Sequence, residues 1–122
     1  MASVNIIKNH IAIRRKGERL AAQWLVKRGF VILHDHFRAG RFEIDIVADK
    51  NKTLCCIEVK TRTVATFGPP EHHISPRKKI QMRHAAEQLL SSYMDYDEAR
   101  LFVLSVTLNN NGNEFFFEEV EQ

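Results

Sequence analysis

Residues Phe42–Lys60 read FEIDIVADKNKTLCCIEVK. Aliphatic and charged side chains alternate before the polar stretch Asp49–Lys52, and an apolar run rich in β-formers follows it. Period-two alternation on either side of a polar break predicts a β-hairpin, with strands over 41–48 and 53–61. The loop decides the register. A two-residue loop at Asn51-Lys52 sets Asp45 opposite Glu58 and Glu43 opposite Lys60. A four-residue loop over 49–52 sets Glu43 opposite Glu58. Either way Glu43, Asp45, Glu58 and Lys60 share one face, and Ile44, Ile46, Ile57 and Val59 take the other. Directly opposed residues hold their Cβ atoms roughly 4.5–5.5 Å apart, so two carboxylates there repel unless a positive charge lies between them.

A divalent cation answers that need. Oxygen ligands on rigid strands suit Mg²⁺, with Mn²⁺ as the alternative ion. Such an ion acidifies a bound water and stabilises charge developing on a phosphate. Lys60 would stand beside it, orienting the attacking water or neutralising charge at phosphorus. The same alternation also describes the wet face of an ordinary half-exposed sheet, with Glu–Lys pairs across it.

The elements around the hairpin follow from periodicity and caps. Ile13, Gly17, Leu20, Ala21, Trp24 and Leu25 recur at helical spacing, and Lys27-Arg28-Gly29 supplies cations and a terminating glycine, so a helix is expected over 9–28. A strand over 30–37 and a turn at Gly40 precede the hairpin, and a Gly-Pro loop over 65–73 follows it. Ser75-Pro76 reads as N-cap and first helical residue of a second helix reaching about residue 94. Its stripe is Met82, Ala85, Ala86, Leu89 and Tyr93. Strands over 100–108 and 114–120 complete the order α-β-β-β-α-β-β. The expectation is one α/β domain over 1–122, a mixed sheet with a helix on each face or both on one.

The bulk composition is that of an ordinary globular chain: 122 residues, 44% hydrophobic and 27% charged. No run reaches membrane-spanning length, and the amino terminus lacks a signal peptide's apolar core. Cys55 and Cys56 are the only cysteines. They point to opposite faces of a strand and make no disulfide framework, which suits a reducing cytoplasm. The net charge of +3 is unevenly spread, for nine of the eighteen Lys/Arg fall in residues 1–41. The basic front two-thirds, which contains Arg41 and Arg62, suggests a phosphate-bearing partner, and scattered solvated charges would give the same count.

Both helices offer residues to the hairpin. Glu18 flanks the buried stripe of the first helix, either facing the sheet near the acids or sitting at a solvated edge beside Arg14 and Arg15. Arg77, Lys78 and Lys79 open the second helix, where the dipole prefers acids, an arrangement that suits a docked nucleic-acid phosphate. Lys78 continues the buried stripe. His34 and His36 share a strand face under regular alternation and read as ordinary surface histidines rather than a zinc pair, since no further ligand lies at partner spacing. His72-His73 lie in the Gly-Pro loop, and Phe115–Phe117 read as a core strand whose aromatic edge could pair with a second copy.

With Glu18, Asp45, Glu58 and Lys60 placed, the chain resembles the PD-(D/E)XK nuclease superfamily. More closely, it is similar to the small bacterial YraN-like family, whose sequences resemble archaeal Holliday-junction resolvases. The resemblance runs over residues 17–90 and rests on GERLAAQWLVKRGF, FEIDIVA, CIEVKTR, FGPPEHHI and SPRKKIQMRHAAEQLL in that order. It implies a restriction-endonuclease-like core with Asp45 and Glu58 as metal ligands, assisted by the Val59 carbonyl. Lys60 would be the catalytic lysine, Glu18 the accessory acid and Glu43 a further acid, with Lys78 and Arg62 the basic positions of the motif. Phe42 replaces the family's usual glycine, and Arg100–Val103 lacks the acid of the family's Arg-Phe-Asp-Val strand. The function expected is Mg²⁺-dependent, structure-selective DNA hydrolysis, or else nucleic-acid binding without hydrolysis. DNA is the expected polymer, with RNA left open. A homodimer suits a cutter of two strands.

Overall fold

The computed structural model describes residues 4–64 and 73–120, with side chains from residue 8 onward. The chain runs α1 (Val4–Lys27), β1 (Val31–Ala39), β2 (Phe42–Lys50), β3 (Thr53–Thr63), α2 (Pro76–Ser92), β4 (Ala99–Leu108) and β5 (Glu114–Glu119). This is the element order read from the sequence. α1 begins at Val4 rather than 9, because no glycine or proline interrupts the earlier residues. The Gly-Pro loop lies outside the described residues except for His73.

Five strands form one sheet in the order β1-β2-β3-β4-β5. Only β3 and β4 are parallel, the pair that α2 connects. The sequence left the helix placement open, and each helix takes its own face. α1 lays Ala21 and Leu25 against Ile46, Ala48, Cys55, Ile57, Leu104 and Val106. α2 lays Met82, Ala85, Ala86 and Leu89 against Ile44, Val47, Leu54, Cys56, Leu101 and Val103. The two cysteines therefore enter opposite cores, and burial pushes their thiols up to about 11 for Cys55 and about 12 for Cys56.

Local signals explain the helix ends. Gly29 adopts φ 89 and donates to the Val26 carbonyl, while Phe30 N–H donates to Leu25 O at 3.1 Å. This is the paired bonding of a glycine-terminated helix. Ser75 Oγ accepts from Lys78 N–H at 3.1 Å, with Pro76 the first residue of α2. At Gly17 a Cβ would collide with the Thr61 side chain, so α1 crosses β3 with no room for any other residue. That close crossing sets the distance of Glu18 from the sheet.

The hairpin turns on Asn51 and Lys52, both left-handed at φ 51 and φ 63. This two-residue loop fixes Lys50 opposite Thr53 and Ile46 opposite Ile57. β5 lies at the sheet edge, where Trp24 stacks on Phe115 at 5.7 Å and Phe117 stacks on Phe102 at 4.8 Å. Phe116 points to the other side and is 44% exposed.

Candidate functional site

The β2–β3 pairing stops at Ile46 and Ile57. Asp45 is the next residue, and its Oδ2 accepts a hydrogen bond from Val59 N–H at 2.8 Å. A carboxylate thus stands in for a backbone acceptor where the two strands part. On the other edge of β2, pairing with β1 runs Asp35 to Ile46 and Phe37 to Ile44, so His36 falls opposite Asp45. His36 adopts φ 55, an uncommon left-handed conformation for a non-glycine residue.

These irregularities break the alternation on which the face assignment rested. Ile46 packs with the α1 core, but Ile44 packs with the α2 core. The expectation that Ile44 and Ile46 share a face fails for that reason. Glu43 accordingly leaves the face of Glu58 and Lys60 and meets His36, with Oε1 2.8 Å from Nδ1 and Arg38 3.2 Å from Oε2. His34 and His36 also separate. His34 lies 2.7 Å from the Tyr93 hydroxyl beside α2, whereas His36 Nε2 lies 2.8 Å from Glu18 Oε2 on α1. His36 is exposed, as a surface histidine should be, and both its ring nitrogens are occupied by carboxylates, which the sequence did not indicate.

Asp45 sits at the crossing point. Ligand atoms of Glu18, His36 and Asp45 all lie within 4.8 Å of one another. Glu58 is outside that group, on the α2 side, where Lys78 Nζ is 3.5 Å from its Oε2. At that distance the contact is a long, weak one that acts chiefly through charge, and buried Glu58 Oε2 has no hydrogen bond of ordinary length among the described residues. Lys60 Nζ donates to the His73 carbonyl at 3.0 Å. Its positive charge also reaches Glu58.

The electrostatics follow from burial. Asp45 is 7% exposed, and desolvation raises its pKa against the opposing Val59 hydrogen bond and Lys78 charge. Glu58 is raised by burial and by Asp45, with Lys78 pulling the other way. Glu18 is raised by burial and again by Asp45. The hydrogen bond to Glu43 raises His36 and lowers Glu43. Asp45 is therefore coupled to a partly desolvated acid on either side, Glu18 towards α1 and Glu58 towards α2.

The remaining basic residues are spread more widely. Arg77 is exposed in the first turn of α2, and Lys79 is half-buried along that helix. Arg41 is exposed in the β1–β2 turn, while Arg62 lines a cleft of about 330 Å³ with His10 and Arg14. His36 is the participant that reading the sequence missed. Its signal was the other turn: a two-residue loop at Gly40-Arg41 places His36 opposite Asp45, as the observed β1–β2 register does.

No helix of the described residues is long and apolar enough to cross a membrane. The model of uncharacterised protein family UPF0102 matches residues 17–106. A UPF0102 protein of Caldicellulosiruptor bescii is 33% identical over 103 residues, 83% of this chain and 87% of the relative. One from Bacteroides fragilis is 32% identical over 113 residues, 93% of this chain and 92% of the relative. One from Geobacter metallireducens is 40% identical over 95 residues, 77% of this chain and 78% of the relative. The matched span contains Glu18, Asp45, Glu58, Lys60 and Lys78.

Proposed function

The chain belongs to the uncharacterised protein family UPF0102, and we propose that it is a metal-dependent endonuclease of the PD-(D/E)XK type that hydrolyses phosphodiester bonds in branched DNA. The observation that carries this reading is the buried Glu58 Oε2, met only by the Lys78 ammonium at 3.5 Å and within electrostatic reach of buried Asp45. A buried carboxylate oxygen so thinly partnered is costly, and two electrostatically coupled carboxylates with a backbone carbonyl between them are the oxygen donors a hard divalent cation takes. Asp45 and Glu58 would hold Mg²⁺ or Mn²⁺, with the Val59 carbonyl as a further oxygen. When bound, the ion acidifies water and stabilises negative charge on the phosphate.

The chain's own residues do the rest. Lys60, anchored on the His73 carbonyl, holds an ammonium two residues from Glu58 and orients the attacking water or neutralises charge at the phosphate. Glu18 is the accessory acid, held near Asp45 by His36 and by the close α1–β3 crossing. Glu43 acts through His36. Lys78 balances Glu58 until a ligand takes over that role. Arg41, Arg62, Arg77 and Lys79 supply phosphate contacts, which fix register without reading sequence. A target recognised by backbone shape follows from that contact chemistry, and a homodimer would align two centres on two strands. Two buried free thiols are consistent with a cytoplasmic setting.

The test incubates purified protein with junction, flap and linear DNA, and matching RNA, in Mg²⁺, Mn²⁺ or EDTA. Asp45→Ala and Lys60→Ala are run in parallel. Metal-dependent cleavage of branched DNA that both variants lose, with binding retained, supports the reading. Binding without cleavage in either metal replaces it with a non-catalytic nucleic-acid-binding protein. Cleavage equal in the variants refutes the assignment.

A further inference from the structure

A cleft of about 530 Å³ opens between α1 and β1, lined by Arg15, Glu18, Arg19, Ala22, Gln23, Ile32, Asp35, His36 and Ile46. It lies on the α1 side of Asp45, away from Lys78. Its volume falls within the roughly 300–1,000 Å³ of small-molecule sites. Ala22, Ile32 and Ile46 belong to or pack on the α1 core and give it an apolar lining. Arg15 and Arg19 are exposed, and neither has an ion-pair partner among the described residues. Gln23, one turn from Arg19 on the same helix, adds an amide that both donates and accepts. Glu18 and His36 belong both to this lining and to the group around Asp45, so the cleft and the acid centre are continuous.

We infer that this cleft binds one unstacked nucleotide next to the scissile phosphate, an inference that rests on the nuclease reading for its place in a reaction. An apolar lining, a hydrogen-bonding amide and two unpaired guanidiniums match base, base edge and phosphate in turn. The acids Glu18 and Asp35 repel a phosphate, so the phosphate is held on the Arg15–Arg19 side and the base against Ala22 and Ile32. Extruding a paired base breaks pairing and stacking, and costs least where the base is already unpaired. The cleft therefore selects DNA carrying an unpaired nucleotide, which gives a residue-level origin for structure selectivity.

The test titrates the isotopically labelled full chain with thymidine 5′-monophosphate in EDTA, following amide shifts by NMR. Shifts at Arg19, Ala22, Gln23 and Ile32, weakened at least tenfold in Arg15→Ala/Arg19→Ala, support the inference. So does their loss in Ala22→Leu, which fills the cleft, provided the variant keeps the native thermal transition. Equal binding of inorganic phosphate overturns the base-binding claim, and shifts confined elsewhere overturn the site. Because no cleavage is needed, shifts in the cleft of a protein that cuts nothing uphold the inference while the nuclease reading falls. Cleavage of DNA with a silent cleft does the reverse.

Discussion

Glu58→Gln should make the cation-free protein more stable. The substitution keeps the side chain's shape and removes a charge whose Oε2 is buried without a hydrogen bond of ordinary length. The amide inherits the same thinly partnered position, so what is relieved is the extra cost of burying a charge over a neutral polar group, on the order of 1–3 kcal/mol. The substitution also forfeits the Lys78 ion pair, but the contact is long at 3.5 Å and Lys78, 34% exposed, can turn to water, so its loss offsets only part of the gain. The net gain is on the order of 1–2 kcal/mol. For a domain of this size each kcal/mol moves Tm by about 3–5 °C, so Glu58→Gln should melt roughly 3–10 °C above the wild type in EDTA.

The pH dependence has a definite sign. Burial raises Glu18, Asp45 and Glu58 in the folded chain. Between the ordinary carboxylate range and those raised values the folded state holds more protons than the unfolded state. Stability therefore falls as pH rises through that window and returns on acidification. Glu58→Gln should flatten the profile by removing one contributor. Mg²⁺ should then reverse the ranking: at a hundred times Kd a ligand adds about 2.7 kcal/mol to the species that binds it, here the wild type. Calorimetry from pH 4 to 8, about the carboxylate window, with and without Mg²⁺, checks all three effects. A Glu58→Gln protein less stable than wild type in EDTA, or equally stabilised by Mg²⁺, would refute the reasoning.

Gly17→Ala should lower stability by about 1–3 kcal/mol, the range for overpacking, because the new methyl meets the Thr61 side chain. Thr61→Ala should restore part of the loss in chemical denaturation, and no recovery would show that the close crossing is not the cause. Trp24→Ala should cost less than the roughly 3–5 kcal/mol of a fully buried indole, since Trp24 is half-buried, yet it holds Phe115 and Phe117 of the edge strand against α1. Hydrogen exchange should accelerate first at Glu114–Glu119, and uniform acceleration across the sheet would argue against a local anchor.

The fold was legible where one signal spoke for one element. Ser75-Pro76 placed the start of α2, Lys27-Arg28-Gly29 placed the end of α1, and alternation placed the hairpin. These are local effects, decided within a few residues. Which face each helix takes is not local: it depends on how Ala21 and Met82 pack across strands far away in sequence. Family membership was also readable, through the ordered set of motifs along the first helix, the hairpin and the second helix. The acids and the lysine of the candidate centre could be named because their spacing is short. Their exact partners could not.

The missing part has one physical origin. Alternation assumes a regular strand, and the strand is irregular at the residue that matters. His36 at φ 55 and the end of β2–β3 pairing at Ile46 both flank Asp45. A regular β2 would put Glu43, Asp45, Glu58 and Lys60 together on the α2 side and leave Glu18 facing aliphatic side chains. The break lets Asp45 couple to Lys78 on one side and to Glu18 and His36 on the other. One carboxylate then serves both faces of the sheet. Backbone strain of this kind costs on the order of 1–3 kcal/mol and persists only where the surroundings enforce it. Here Glu18 and Glu43 grip both nitrogens of His36 and supply that enforcement. Replacing His36 with glycine, which accepts positive φ freely, would relax the backbone yet release both acids. The fold should survive while Glu18 loses its place beside Asp45. Asp45→Asn, which should lower the Glu18 carboxyl titration followed by NMR in the wild type, should then leave it unmoved in the His36→Gly background.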